Sequence, residues 1–118
     1  MNRPKFIKEI ISAIEYKKAF DVSFYDVSGK SVLTDYILVS SVNNDIHCRA
    51  ILNEVETILK SFSSQSQSLG LNIPAKKHGN LKSNWIVLDA NSLIIHILEK
   101  QQRDFYQLDD IFDKIVTS

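Results

Sequence analysis

The hydrophobic period of this chain switches between that of a helix and that of a strand, and the order of the switches restricts the fold more than any other feature. Phe6, Ile7, Ile10, Ile11 and Ile14 recur at helical spacing, with Lys8, Glu9, Ser12 and Glu15 between them. Pro4 suits the first turn, where its missing N–H is not needed. The spacing then becomes two. Phe20, Val22 and Phe24 alternate with Asp21, Ser23 and Tyr25, as in a half-buried strand. Ser28-Gly29-Lys30 is a turn, and Tyr36-Ile37-Leu38-Val39-Ser40 is a short β-rich run suited to a more central strand. Val42 to Asp45 ends that strand and offers helix caps. Helical spacing returns from Ile46 to Phe62, with Ala50, Ile51, Val55, Ile58, Leu59 and Phe62 as the stripe.

The second half repeats the alternation. The Ser/Gln-rich stretch from Ser61 to Gly70 reads as a frayed helix end and a loop. Leu71 to Ala75 reads as a strand that Pro74 confines to an edge, and Lys76 to Asn80 reads as a polar loop. Trp85–Asp89 and Leu93–Leu98 flank Ala90-Asn91-Ser92 and form a hairpin. Asp104 and Gln107 resemble a capping box for a last helix whose apolar face is Phe105, Leu108, Ile111, Phe112 and Ile115. The order is α-β-β-α-β-β-β-α. It calls for an α/β fold, one mixed five-stranded sheet with flanking helices, as a single domain over residues 1–118.

Composition narrows the function. Lys and Arg number 14 and Asp and Glu number 14, so the formal net charge is zero. Binding nucleic acid mainly by counterion release needs a positive excess that this chain lacks. One cysteine, Cys48, excludes an intramolecular disulfide framework and a Cys-built zinc site. No apolar run approaches the ~20 residues of a membrane span, and Lys5, Lys8 and Glu9 interrupt any signal-like N-terminus. A soluble cytoplasmic protein without a membrane partner is expected.

The residues give little support to catalysis. His47 and Cys48 are neighbours on a helix and point about 100° apart, so they do not form a nucleophile–base pair. His47, His78 and His96 share no ligand spacing, so neither a metal nor a cofactor is expected. Ser28-Gly29-Lys30-Ser31 lacks the earlier glycine of a phosphate loop. Asp21 and Asp26 fall on opposite sides of a strand and Asp89 is alone on its own, so no strand carries a carboxylate pair at i, i+2 ready to clamp two metals. Polar and aromatic residues instead gather near strand ends: Thr34, Asp35, Tyr36, Trp85, Asp89, His96, Arg103, Asp104, Phe105 and Tyr106. Trp, Tyr and Arg are enriched in binding hot spots, although aromatic residues fill cores as readily.

Five runs in this order resemble the ribosomal silencing factor family, also called Iojap-like or RsfS. They are Asp26 to Ser31 leading into Thr34 to Val39; His47 to Ile51; Trp85 to Asp89; Ile94 to Ile97; and Arg103 to Asp109. The resemblance covers about Phe6 to Phe112. It implies a nucleotidyltransferase-like fold without the catalytic carboxylates, and no enzymatic activity. It implies binding to the large ribosomal subunit through its protein fourteen, and a steric block to joining with the small subunit when nutrients are scarce. It also implies homodimers of the free protein. The chain departs from the family pattern at Ser40 to Asn44, at His78 where a glutamate is usual, and at Asn91-Ser92 where Gly-Asp is usual.

On that footing the expected partner-binding residues are Trp85, Leu88, Asp89, His96 and Tyr106, with Asp35 second in rank. Trp85 would supply apolar area, and Asp89 would meet a basic side chain of a cationic ribosomal protein. The alternative is a nucleotide-binding or nucleotidyltransferase-like enzyme or sensor. A general RNA-binding module is a third reading, for which the cluster Lys76-Lys77-His78 is thin.

Overall fold

The computed structural model describes residues 3–117. Its elements are α1 (Lys5–Tyr16), β1 (Phe20–Asp26), β2 (Tyr36–Val42), α2 (Asp45–Ser61), α3 (Ser66–Leu69), β3 (Leu71–Asn80), β4 (Trp85–Asn91), β5 (Leu93–Glu99), α4 (Lys100–Phe105) and α5 (Leu108–Thr117), with 3-10 turns at Ser63–Gln65 and Leu81–Ser83. The five strands form one mixed sheet in the order β1-β2-β5-β4-β3. Only β2 and β5 pair in parallel; the other pairs are antiparallel. The α/β architecture expected from the period switches is the one observed.

The period of two divides the sheet into two unequal faces. On one face Leu38, Ile86, Leu88, Leu93, Ile95 and Ile97 meet Ile7, Ile10 and Ile14 of α1 and Ile51, Val55 and Leu59 of α2 in the larger core cluster. On the other face a smaller cluster joins Tyr25, Ile37, Val39 and Leu98 to Leu108 and Phe112 of α5. Asn44 caps α2 by accepting the His47 N–H at 2.8 Å. Asp45 in the first turn and Lys60 in the last suit its dipole.

Several local expectations are corrected. Lys76 to Asn80 is strand, not loop, because it continues β3 in register with β4 from Lys76↔Asp89 to Asn80↔Trp85. Pro74 does keep β3 at the sheet edge. Ala50 is exposed, and Cys48 and Leu52 take the buried positions on α2. The Ser/Gln stretch contains a short helix ended by Gly70 at φ 70°. The last helix is two: Gln107 at φ 49° breaks it, and the Gln107 N–H donates to the Asp104 carbonyl at 3.2 Å. Asp104 and Gln107 therefore end α4 and do not cap a continuous helix. Phe105 and Ile111 are 77% and 51% exposed, outside the expected apolar face.

Arg103 explains the break. It is 5% exposed, and all five of its N–H donors are used. Nε and Nη2 donate to the two carboxylate oxygens of Asp109 at 2.7 and 2.9 Å. Nη1 donates to the Asp21 carbonyl and to Ser41 Oγ, and Nη2 also donates to Ser23 Oγ. The Tyr25 hydroxyl donates to Asp109 Oδ1. A straight helix would not bring Asp109, six residues on, onto the guanidinium; turning the chain at Gln107 does. Replacing Arg103 by Met should strand the Asp109 carboxylate and lower the unfolding free energy by about 2–3 kcal/mol. Urea unfolding followed by far-ultraviolet circular dichroism would read this as a lower midpoint with an unchanged m-value. Arg103→Lys should restore only part of the loss, because an ammonium cannot make the fork.

Candidate functional site

Helices α4 and α5 cover only part of the second face, and the strip beyond them is the open surface of the sheet. The register sets Trp85 opposite Leu98, Val87 opposite His96 and Asp89 opposite Ile94. These side chains share that face, as do Lys76 and His78 of β3 through their pairs Asp89 and Val87. Trp85, Val87, Asp89, Ile94 and His96 are half-buried.

Trp85 is held in place from two sides. Its Nε1 donates to Nδ1 of His96 at 3.1 Å, with ring centroids 6.1 Å apart. Tyr106, just after α4, lies 5.4 Å from it, and Phe105 meets Tyr106 edge-on at 4.9 Å. Tyr106 is 52% exposed. The result is an aromatic ridge, Trp85–Tyr106–Phe105, whose inner end is anchored and whose outer end faces solvent. Beside it a shallow cavity of about 320 Å³ is lined by His78, Gly79, Ser83, Trp85, Val87, Gln102 and Tyr106. Gly79 lets β3 close on β4 here: at φ 84°, a Cβ would lie 2.3 Å from the Trp85 carbonyl oxygen.

His96 is the base of the ridge. Phe112 of α5 covers it, with ring centroids 5.4 Å apart. Burial opposes the imidazolium and pulls the pKa down to about 4. The Trp85 bond needs the same state, since Nδ1 must be free to accept. His96 therefore orients Trp85 from below.

The expected site residues separate into three groups. Trp85, His96 and Tyr106 come together, and Asp89 lies further along the same face, accepting the Asn91 N–H at 3.0 Å. Leu88 is corrected: it is 0% exposed and belongs to the larger core, because a residue between Val87 and Asp89 must point to the opposite face. It offers a partner no surface. Asp35 is exposed but stands elsewhere. It precedes Tyr36, which pairs with Leu93, whereas Trp85 pairs with Leu98, five residues or roughly 17 Å along β5. Asp35 borders a separate cavity of about 750 Å³ with Phe6, Tyr36 and Phe62. Sequence reasoning missed Val87, whose place follows from period two, and His78, which was assigned to a loop. Among the described residues no three His, Cys, Asp or Glu side chains gather where they could hold a metal ion.

The burial of His96 gives a pH prediction. Its folded pKa lies below the usual ~6.5, so the unfolded state binds the extra proton between the two values. Stability should fall as pH drops from about 6.5 toward 4, by up to about 1.4 kcal/mol per pH unit. Asp109 acts in a lower window: the Arg103 hydrogen bonds hold its carboxyl below the usual range, so its contribution is lost only on further acidification. Urea midpoints across this range should drop more steeply for the native chain than for His96→Gln, and Trp85 fluorescence should change with the same midpoint.

Comparison with known proteins places this geometry in a family. The family model described as "Ribosomal silencing factor during starvation" matches residues 1–117. The ribosomal silencing factor of Bacillus subtilis is 26% identical over 112 residues, 95% of this chain and 88% of that one. The mouse protein named "Mitochondrial assembly of ribosomal large subunit protein 1" is 22% identical over 106 residues, 90% of this chain and 44% of that one. The crystal structure of a Chromobacterium violaceum protein superposes with a TM-score of 0.75 at 21% identity, over 96% of this chain and 88% of the other.

Proposed function

The chain belongs to the ribosomal silencing factor family, and on that premise we propose that it binds the large ribosomal subunit through that subunit's protein fourteen and blocks joining with the small subunit. Membership implies a ribosome-associated regulator of translation, a regulatory role and not an enzymatic one. The observation that carries the finer reading is the aromatic ridge Trp85–Tyr106–Phe105, which ends in solvent on a sheet face left open by the helices. A few residues carry most of the energy of a protein interface, and Trp and Tyr are enriched among them. Asp89 on the same face would meet a cationic side chain of the ribosomal protein and speed encounter. Asp35, on its separate cavity, serves as a second-rank contact in this reading.

Steric exclusion needs only occupancy. The domain measures 34 × 33 × 23 Å, so a copy seated at the subunit interface fills a gap that the joining subunits must close. No chemical step, cofactor or metal enters. Such a protein works in the cytoplasm, where subunits meet. Among the described residues no helix is long and apolar enough to cross a membrane. A free homodimer built on the same face would compete with the ribosome, since an isologous contact would cover the ridge in both copies.

Co-sedimentation with separated subunits tests the reading. The purified protein should pellet with large subunits alone, and mixing in small subunits should give fewer joined ribosomes. Absence from the large-subunit fraction would overturn the proposal. Trp85→Ala should weaken binding by tenfold or more, equivalent to about 1.4 kcal/mol. Tyr106→Ala, which removes a more exposed ring and leaves the His96 contact intact, should weaken it with little change in thermal midpoint.

A further inference from the structure

Zero net charge conceals a strong segregation. Between Glu56 and Asp89 the sequence contains no Asp or Glu, but it contains Lys60, Lys76, Lys77 and Lys82. Between Arg103 and Lys114 it contains no Lys or Arg, but it contains Asp104, Asp109, Asp110 and Asp113. The fold places Lys76, Lys77 and Lys82 on one flank of the aromatic ridge and the acidic block on the other, while Lys60 stands on α2 across the sheet. Lys76 and Lys77 lie on the edge strand β3 and Lys82 on the 3-10 turn that follows, all exposed; Lys76, paired with Asp89, shares the ridge face, and Lys77, paired with Leu88, leaves the edge on the other side. The acidic block lies on α4 and α5. Among the described residues no ion pair involves Lys76, Lys77 or Lys82. Asp89, opposite Lys76, turns its Oδ1 to the Asn91 N–H.

From this we infer that the edge formed by β3 and the turn at Leu81–Ser83 contacts the phosphate backbone of ribosomal RNA through Lys76, Lys77 and Lys82 while the aromatic ridge docks on protein. The inference rests on the ribosome-binding reading above and adds a second class of contact to it. Two observations favour phosphate over an acidic protein segment. The edge carries further donors, the Asn80 amide and the His78 ring, beside the lysines. No acid lies within the 57–88 stretch, and Asp89, paired across from Lys76, has a carboxylate oxygen engaged by the Asn91 N–H. On the other flank Asp104 is paired with Lys100 and Asp109 with Arg103, and the remaining acids, Asp110 and Asp113, would be repelled by phosphate, so the pair of flanks sets the orientation in which the ridge arrives. Backbone phosphates carry no sequence information, so this contact positions the protein and does not read bases.

Salt titration of the co-sedimentation assay separates this inference from its premise. Each phosphate contact contributes a slope of about 0.7–0.9 in log affinity against log salt. The variant Lys76→Gln/Lys77→Gln/Lys82→Gln should therefore lose about two units of slope, which is a roughly hundredfold loss near 0.1 M salt and almost none near 1 M. Trp85→Ala should weaken binding with the slope unchanged. Parallel slopes for the native chain and the lysine variant would overturn the inference while leaving the docking ridge standing. An iron chelate tethered through Lys77→Cys identifies the counterpart, since Cys48 is buried and free. Cleavage of the large-subunit RNA from this position, and none from Asp113→Cys, is the expected result. A bound probe at Lys77→Cys that cuts ribosomal protein and spares RNA would assign the edge to an acidic protein segment and overturn the inference. Failure of the native chain to bind large subunits at all would remove the premise and the inference together.

Discussion

Arg103 is the interaction on which the arrangement of the second face depends. Its five hydrogen bonds reach β1 through Asp21 and Ser23, β2 through Ser41, and α5 through Asp109. A buried guanidinium is tolerable only when every donor has an acceptor, and here every donor has one. The chain accommodates this at two places. The irregularity in β1 between Phe20 and Ser23, with Asp21 at φ 49°, turns a carbonyl toward Arg103. The turn at Gln107 brings Asp109 back over it. Both are non-glycine residues in left-handed backbone, a local cost that the network offsets.

The consequence reaches the surface. Because α5 is fixed above β1, β2 and β5, Phe112 covers His96 and keeps it neutral. A neutral His96 accepts the Trp85 N–H, and the same turn that positions Asp109 carries Phe105 and Tyr106 outward beside Trp85. The helices also stop short of β3 and β4, which leaves Val87 and Asp89 without a cover. One buried charge thus determines how much of the sheet is open and which aromatic side chains border the opening.

The two faces do different work. The α1–α2 face holds the larger apolar cluster, composed mostly of Ile, Leu and Val. The other face mixes a small apolar cluster, a buried arginine and a half-buried histidine with side chains open to solvent. Polar groups held at fixed positions over a rigid sheet suit recognition, where geometry matters more than bulk burial. The charge segregation across the ridge has a double character: Asp109 holds the fold through Arg103, while Lys76, Lys77 and Lys82 form no ion pair among the described residues.

Legibility in the sequence followed the range of the interactions. The helices at Phe6–Ile14 and Ile46–Phe62, the central run Tyr36–Ser40 and the hairpin around Asn91 were readable because periodicity and turn chemistry act between near neighbours. The five runs that resemble the ribosomal silencing factors were readable for the same reason, as order and spacing along the chain. Leu88 was assigned to the surface although its parity with Ile86 already placed it inside. The strand character of Lys76–Asn80 depends on hydrogen bonds to β4, which a polar composition does not announce. The break at Gln107, the exposure of Phe105 and the separation of Asp35 from Trp85 depend on contacts between residues far apart in the chain. The sequence by itself determined most of the elements, the buried stripe of the first helix, and the family. Only the tertiary structure decided which polar and aromatic side chains meet, because the Arg103 network and the strand order join segments that no local pattern relates.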